Sequence, residues 1–203
     1  MWRTMVDGEV AKALKYVLEC MSTAAMARTP ILTLCPDIKW HMIGHLQTNK
    51  IKKVIEVPNL FCIETIDSIK LATAVNSGVE KYLGNKKLKI YVQVNTSDEQ
   101  NKSGVDADHV NELVGHVLQN CAHLDLVGLM TIGAFDHDLS EGPNPDFQKL
   151  LKCRASVCES HCLEPKDVEL SMGMSNDFEH AILVGSTNVR VGSTIFGARA
   201  IKK

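Results

Sequence analysis

The sequence predicts an α/β protein built on a parallel sheet, and three observations carry that prediction. Short, strand-like segments alternate with segments whose apolar residues step by three or four. Several of the strand-like segments are almost wholly apolar, as strands covered on both faces are. Polar residues or glycines bound each segment, the pattern of right-handed strand–helix–strand crossovers. From Lys39 onward the chain accommodates six such units of about 27 residues each. Eight units would leave about 20 each, too few for a strand, a helix and two loops. A six-stranded open sheet and an incomplete barrel fit this count equally well.

The elements follow in order. Residues 1–34 differ in kind: Val6, Val10, Ala13, Leu14, Val17, Leu18 and Met21 form an amphipathic helical stripe, and Pro30 closes the segment. The first strand is expected at Lys39–Leu46 and the second at Leu60–Ile66. A helix then carries Ile69, Ala72, Val75, Val79 and Leu83, with Asp67 ahead of it as a capping residue. The third strand, Leu88–Asn95, leads to a helix marked by Val110, Leu113, Val114, Val117 and Leu118. The fourth, Leu124–Gly133, is followed by the acidic loop Gly133–Phe147 and a helix with Leu150, Leu151, Ala155, Val157 and Cys158. The fifth, Val168–Met174, ends in a glycine-containing turn with a helix beginning at Ser175 or Asn176. There Asn176 and Glu179 suggest a capping box. The sixth, Asn188–Gly192, enters a Gly-Ser-Thr turn that opens a short helix.

Composition excludes several classes. Of 203 residues, 45% are hydrophobic and 23% charged, which is ordinary globular usage. The formal net charge of −2 predicts no general affinity for nucleic acid. The most apolar stretch, Leu124–Phe135, contains Asp125 and falls well short of the about 20 residues of a membrane span. Charges near the N-terminus stand where a secretory signal needs its apolar region. Together with seven scattered cysteines, this points to reduced thiols in the cytoplasm. Cys158, His161 and Cys162 sit at a suggestive spacing, but a closed zinc site needs four ligands and no second pair matches. His41 and His45 likewise lack a third ligand, so no metal is expected.

In parallel α/β folds, ligands bind beyond the carboxyl ends of the strands. Two consecutive ends combine a glycine, a hydroxyl and free backbone N–H groups: Gly173–Ser175, and Gly192 with Ser193 and Thr194. Those are the components of a phosphate cradle. Arg190 lies between Val189 and Val191 and so points opposite to them. If the valines face the helices, the arginine faces the ligand side and needs a carboxylate, a bound anion or a ring acceptor as partner. Nucleophile-elbow, Walker and Rossmann motifs are absent.

The segments Trp40–Val54, Gly128–Gly133, Leu170–Phe178 and Gly185–Gly197 closely resemble motifs of the pyridoxal 5′-phosphate (PLP) homeostasis protein family. The resemblance runs from about Ile31 to Gly197. It divides the chain into an unmatched segment, 1–34, and a PLP-binding domain, 35–203. It implies a TIM-barrel-like fold of the alanine racemase N-terminal type, a cytoplasmic monomer and a non-catalytic role in vitamin B6 homeostasis. Carried over by position, Ser175, Gly192, Ser193 and Thr194 fall where the family holds the cofactor phosphate. Arg190 falls near the pyridine nitrogen, where it disfavours ring protonation and weakens the cofactor as an electron sink. The family's opening strand carries a Ser-Lys-Thr motif whose lysine binds the cofactor covalently. Neither that motif nor the Gly-Glu-Asn motif after it occurs here, and Lys12 and Lys15 lie in the helical stripe instead. The resemblance therefore implies a barrel truncated to about six units, with PLP held non-covalently and exposed sheet edges open to self-association. A product that no longer binds PLP is the second reading, and a racemase-like enzyme the third.

Overall fold

A computed structural model describes residues 37–97, 99, 103–134, 137 and 142–197. The helical stripe Val6–Met21 lies outside the described residues, as do Lys12 and Lys15 and much of the acidic loop. Seven strands are present among the described residues: β1 (Trp40–Met42), β2 (Leu60–Ile66), β3 (Leu88–Asn95), β4 (Val105–Asp106), β5 (Leu124–Met130), β6 (Glu169–Met174) and β7 (Asn188–Arg190). They pair in the order β1-β2-β3-β5-β6-β7, with β4 attached to β3, and every pairing is parallel. The helices are α1 (Ile51–Ile55), α2 (Ile69–Leu83), α3 (Val110–Asn120), α4 (Pro145–His161), α5 (Phe178–Leu183) and α6 (Ser193–Phe196).

One side-chain contact decides between an open sheet and a barrel. β2 and β6 are three strand spacings apart, about 14 Å in a flat sheet at about 4.8 Å per spacing. Yet the Ser171 hydroxyl of β6 donates to Glu64 Oε2 of β2 at 2.6 Å. Asn188 of β7 reaches the other oxygen of the same carboxylate at 3.1 Å. Only a curled sheet brings these strands together. The sheet is a half-barrel, and among the described residues nothing closes it between β1 and β7.

The two faces have different chemistry. Leu88, Ile90, Val92 and Val94 of β3 and Leu170 and Met172 of β6 are buried in the core with Val75 and Val79 of α2 and Val114 and Val117 of α3. Each such side chain contributes about 1.5–3 kcal/mol on burial. The concave face holds a small apolar cluster of Cys62, Tyr91 and Met130. Beyond it lie the polar residues of the site.

The structure shifts several expected boundaries. The first strand is only Trp40–Met42, because Gly44 turns the chain at φ +99° and its carbonyl accepts from the Thr65 hydroxyl at 2.9 Å. The fourth and sixth strands stop at Met130 and Arg190. Ser68, not Asp67, caps α2: its Oγ accepts from the Leu71 N–H at 3.3 Å. The Asn176–Glu179 capping box does not form. α5 starts at Phe178, and the Asp177 carboxylate accepts from the Met174 N–H at 2.6 Å instead. α1 and β4 were not legible, being five and two residues long. α4 is a half-buried helix in which Cys158 is buried and His161 Nε2 donates to the Asn111 carbonyl at 3.1 Å. Cys162 is the left-handed C-cap that follows. Among the described residues, no helix is long and apolar enough to cross a membrane.

Candidate functional site

The site grows from the carboxyl ends of β6 and β7. Gly173 has φ +97°, and a Cβ there would stand 2.5 Å from that of Ala181 on α5. Only glycine lets the chain bend this tightly over the helix, and the bend carries Ser175 out beside the end of β7. There its Oγ accepts from the Gly192 N–H at 3.0 Å and, more weakly, from the Thr194 N–H at 3.4 Å. The two turns that look independent in the sequence thus form one constellation. Ser175 does not cap the helix that follows it; it gathers the N–H groups at the start of α6. That helix has four residues, so its dipole is slight and the individual N–H groups matter. Ser193 and Thr194 are exposed, and a Cβ on Gly192 would meet nothing within 4 Å.

Arg190 lies one layer deeper. Val189 packs on the core, so the arginine faces the concave side as alternation requires. Its Nη1 donates to Ser171 Oγ at 2.6 Å and its Nη2 to the Thr131 carbonyl at 2.7 Å. The expected carboxylate partner is present but one step removed, behind Ser171. Thr131 is fixed in turn by its hydroxyl, which lies 2.8 Å from the Thr96 hydroxyl and accepts from the Gly133 N–H at 3.2 Å.

Glu64 is the hub of this layer. It is 1% exposed and accepts from Ser171, from Asn188 and, at 2.6 Å, from His41 Nδ1. Burial alone would push its carboxyl up. The hydrogen bonds from His41 and Ser171 and the Arg190 charge overcome that and hold it below the ordinary glutamate value. Burial also pulls the Arg190 guanidinium down from its usual value, opposed by the charges of Glu64 and Asp177. His41 is therefore committed to a carboxylate, while His45 lies 3.6 Å from Asp67; the two histidines do not converge.

Towards the amino ends of the strands, a cavity of about 180 Å³ is lined by Phe61, Cys62, Lys89, Tyr91 and Val127 among others. The Tyr91 hydroxyl donates to Glu169. Burial, then that bond, pushes the phenol far above its usual range. Burial followed by the Glu64 charge pushes the Cys62 thiol up, leaving it no nucleophile.

Glu64, Ser171 and Asn188 escaped the sequence reading. A single signal could have found the first: an acidic residue inside the apolar run Phe61–Ile66 must have a buried partner.

The residues suit a phosphate monoester. The N–H groups of Gly192 and Thr194 are not free, as the sequence suggests, but donate to Ser175 Oγ. That leaves the Ser175 hydroxyl proton and the exposed Ser193 and Thr194 as donors, with open space beside Gly192 and the Arg190 cation on the adjoining strand. The chain is similar to several known proteins. A family model described as the alanine racemase N-terminal domain matches residues 10–200, beginning inside the segment in which no family motif is legible. The human pyridoxal phosphate homeostasis protein is 52% identical over 188 residues, covering 93% of this chain and 68% of its own. A solved structure of an unknown protein from Bifidobacterium adolescentis is 39% identical with a TM-score of 0.68. That match covers 78% of this chain and 61% of the other. PipY of Synechococcus elongatus, solved with PLP bound, is 28% identical with a TM-score of 0.68, covering 89% of this chain and 78% of its own.

Proposed function

This chain belongs to the alanine racemase N-terminal domain family, and from that premise we propose that it binds pyridoxal 5′-phosphate non-covalently and serves vitamin B6 homeostasis without catalysing a reaction. The observation that carries the reading is the convergence of the Gly192 and Thr194 N–H groups on Ser175 Oγ. In this reading Ser175, Gly192, Ser193 and Thr194 hold the phosphate, and Arg190 faces the ring nitrogen. The cofactor, when bound, is an electron sink whose strength depends on ring-nitrogen protonation. A guanidinium beside that nitrogen opposes its protonation, which supports a carrier over an enzyme. The free thiols of Cys62, Cys121, Cys153 and Cys158 support a cytoplasmic setting. The outer edges of β1 and β7, which pair with no strand among the described residues, favour self-association.

Equilibrium dialysis tests the proposal. PLP should bind reversibly, pyridoxal much more weakly, and inorganic phosphate should compete. Ser175→Ala should weaken PLP by about 1 kcal/mol, the typical net worth of one hydrogen bond. Borohydride reduction followed by peptide mapping should label no lysine stoichiometrically, and amino acids should not turn over above the rate with free cofactor. Failure of the intact chain to bind PLP overturns the proposal and leaves the second reading, a product that no longer binds PLP.

A further inference from the structure

We propose that Glu64 is a positioning residue for Arg190, acting through the Ser171 hydroxyl, and that this relay selects ligands with a ring nitrogen; the inference rests on the PLP reading above. A serine hydroxyl has one proton. Here it goes to Glu64 Oε2 at 2.6 Å, so only lone pairs face Arg190 Nη1, also at 2.6 Å. An ionised carboxylate only accepts, so it sets the direction of the relay and makes Ser171 Oγ the stronger acceptor. The second anchor, Nη2 on the Thr131 carbonyl at 2.7 Å, lies on a different nitrogen. Two anchors on two nitrogens fix the guanidinium plane and leave the other three of its five N–H groups to a ligand. Glu64 is itself immobilised by His41 and Asn188 from the two strands bordering the gap, β1 and β7. A flexible arginine on a three-residue edge strand thereby gains the fixed aim of a core group.

A purely structural role, stitching β2 to β6 and β7, makes a different prediction. It affects all ligands alike, whereas positioning affects only those that offer a ring acceptor. The experiment uses the full chain, Glu64→Gln, and Ser171→Ala, which removes the relay while leaving the carboxylate with His41 and Asn188. Binding of pyridoxine 5′-phosphate, which has no aldehyde to react with lysine, is compared with that of its analogue carrying C–H in place of the ring nitrogen. The wild-type chain should prefer the pyridine by about tenfold, the lower end for a charge-assisted hydrogen bond. Both variants should bring that ratio close to one. A ligand-free readout accompanies it: in ¹⁵N NMR the Arg190 Nη signals, assigned by their loss in Arg190→Lys, should be resolved in the wild type and merge in both variants. If wild type binds neither compound while the Nη signals behave as stated, the PLP reading fails and the relay stands. A preference unchanged in the variants, a wild-type ratio of one, or unchanged Nη signals overturns the positioning role.

Discussion

Replacing Glu64 with leucine keeps the side-chain volume roughly constant and removes the acceptor on which three donors converge. Ser171, His41 and Asn188 each lose a bond to a charged group, at 2.6, 2.6 and 3.1 Å respectively. At about 1.5–3 kcal/mol each, the gross loss is roughly 5–9 kcal/mol. Burying leucine returns about 1.5–3 kcal/mol of this. Water reaching the partly exposed His41 returns more. The net cost should be about 3–5 kcal/mol, in line with removal of one partner from a buried charge pair. Domains hold roughly 5–15 kcal/mol, so the variant should fold marginally at best. Urea unfolding at constant m reads the loss directly. The double variant Glu64→Leu/Arg190→Met should recover a large part of it, because no unpaired charge remains buried. A single-variant cost under about 1 kcal/mol, or a double variant no better than the single, would refute the view that the carboxylate organises this layer.

Three further outcomes are expected. A carboxyl held below its unfolded value adds stability above that value and loses it as pH falls through the folded one. Glu64 should therefore make the wild type more acid-sensitive than Glu64→Gln at pH below the ordinary value of 4.5, measured by thermal unfolding across pH. Gly128→Ala should destabilise by about 3 kcal/mol in urea unfolding, because the new Cβ would lie 2.1 Å from the Glu169 carbonyl oxygen and force β5 from β6. Among the described cysteines, mass-spectrometric thiol labelling of the native chain should modify exposed Cys162 first; Cys62, Cys121, Cys153 and Cys158 should react only on unfolding.

Much of this fold is a matter of local pattern, and the sequence carries it by itself. The apolar runs Leu60–Ile66 and Leu88–Asn95 and the stripes at Val75–Val79 and Val110–Val117 are legible because strand and helix periodicity is set by neighbours a few residues apart. For the same reason the direction of Arg190 follows from strand alternation, with Val189 packed on the core. Tertiary structure alone decided what those residues do together. Ser175 and Gly192 belong to different crossovers, and their contact depends on a bend that only Gly173 allows. Glu64 meets Ser171 across 107 positions and Asn188 across 124. Such contacts arise from the curl of the whole sheet, a property of all its strands at once. No stretch of sequence short enough to show a period contains that information. The partner of a buried charge can be anticipated as a necessity, but its identity appears only when the sheet curls around it.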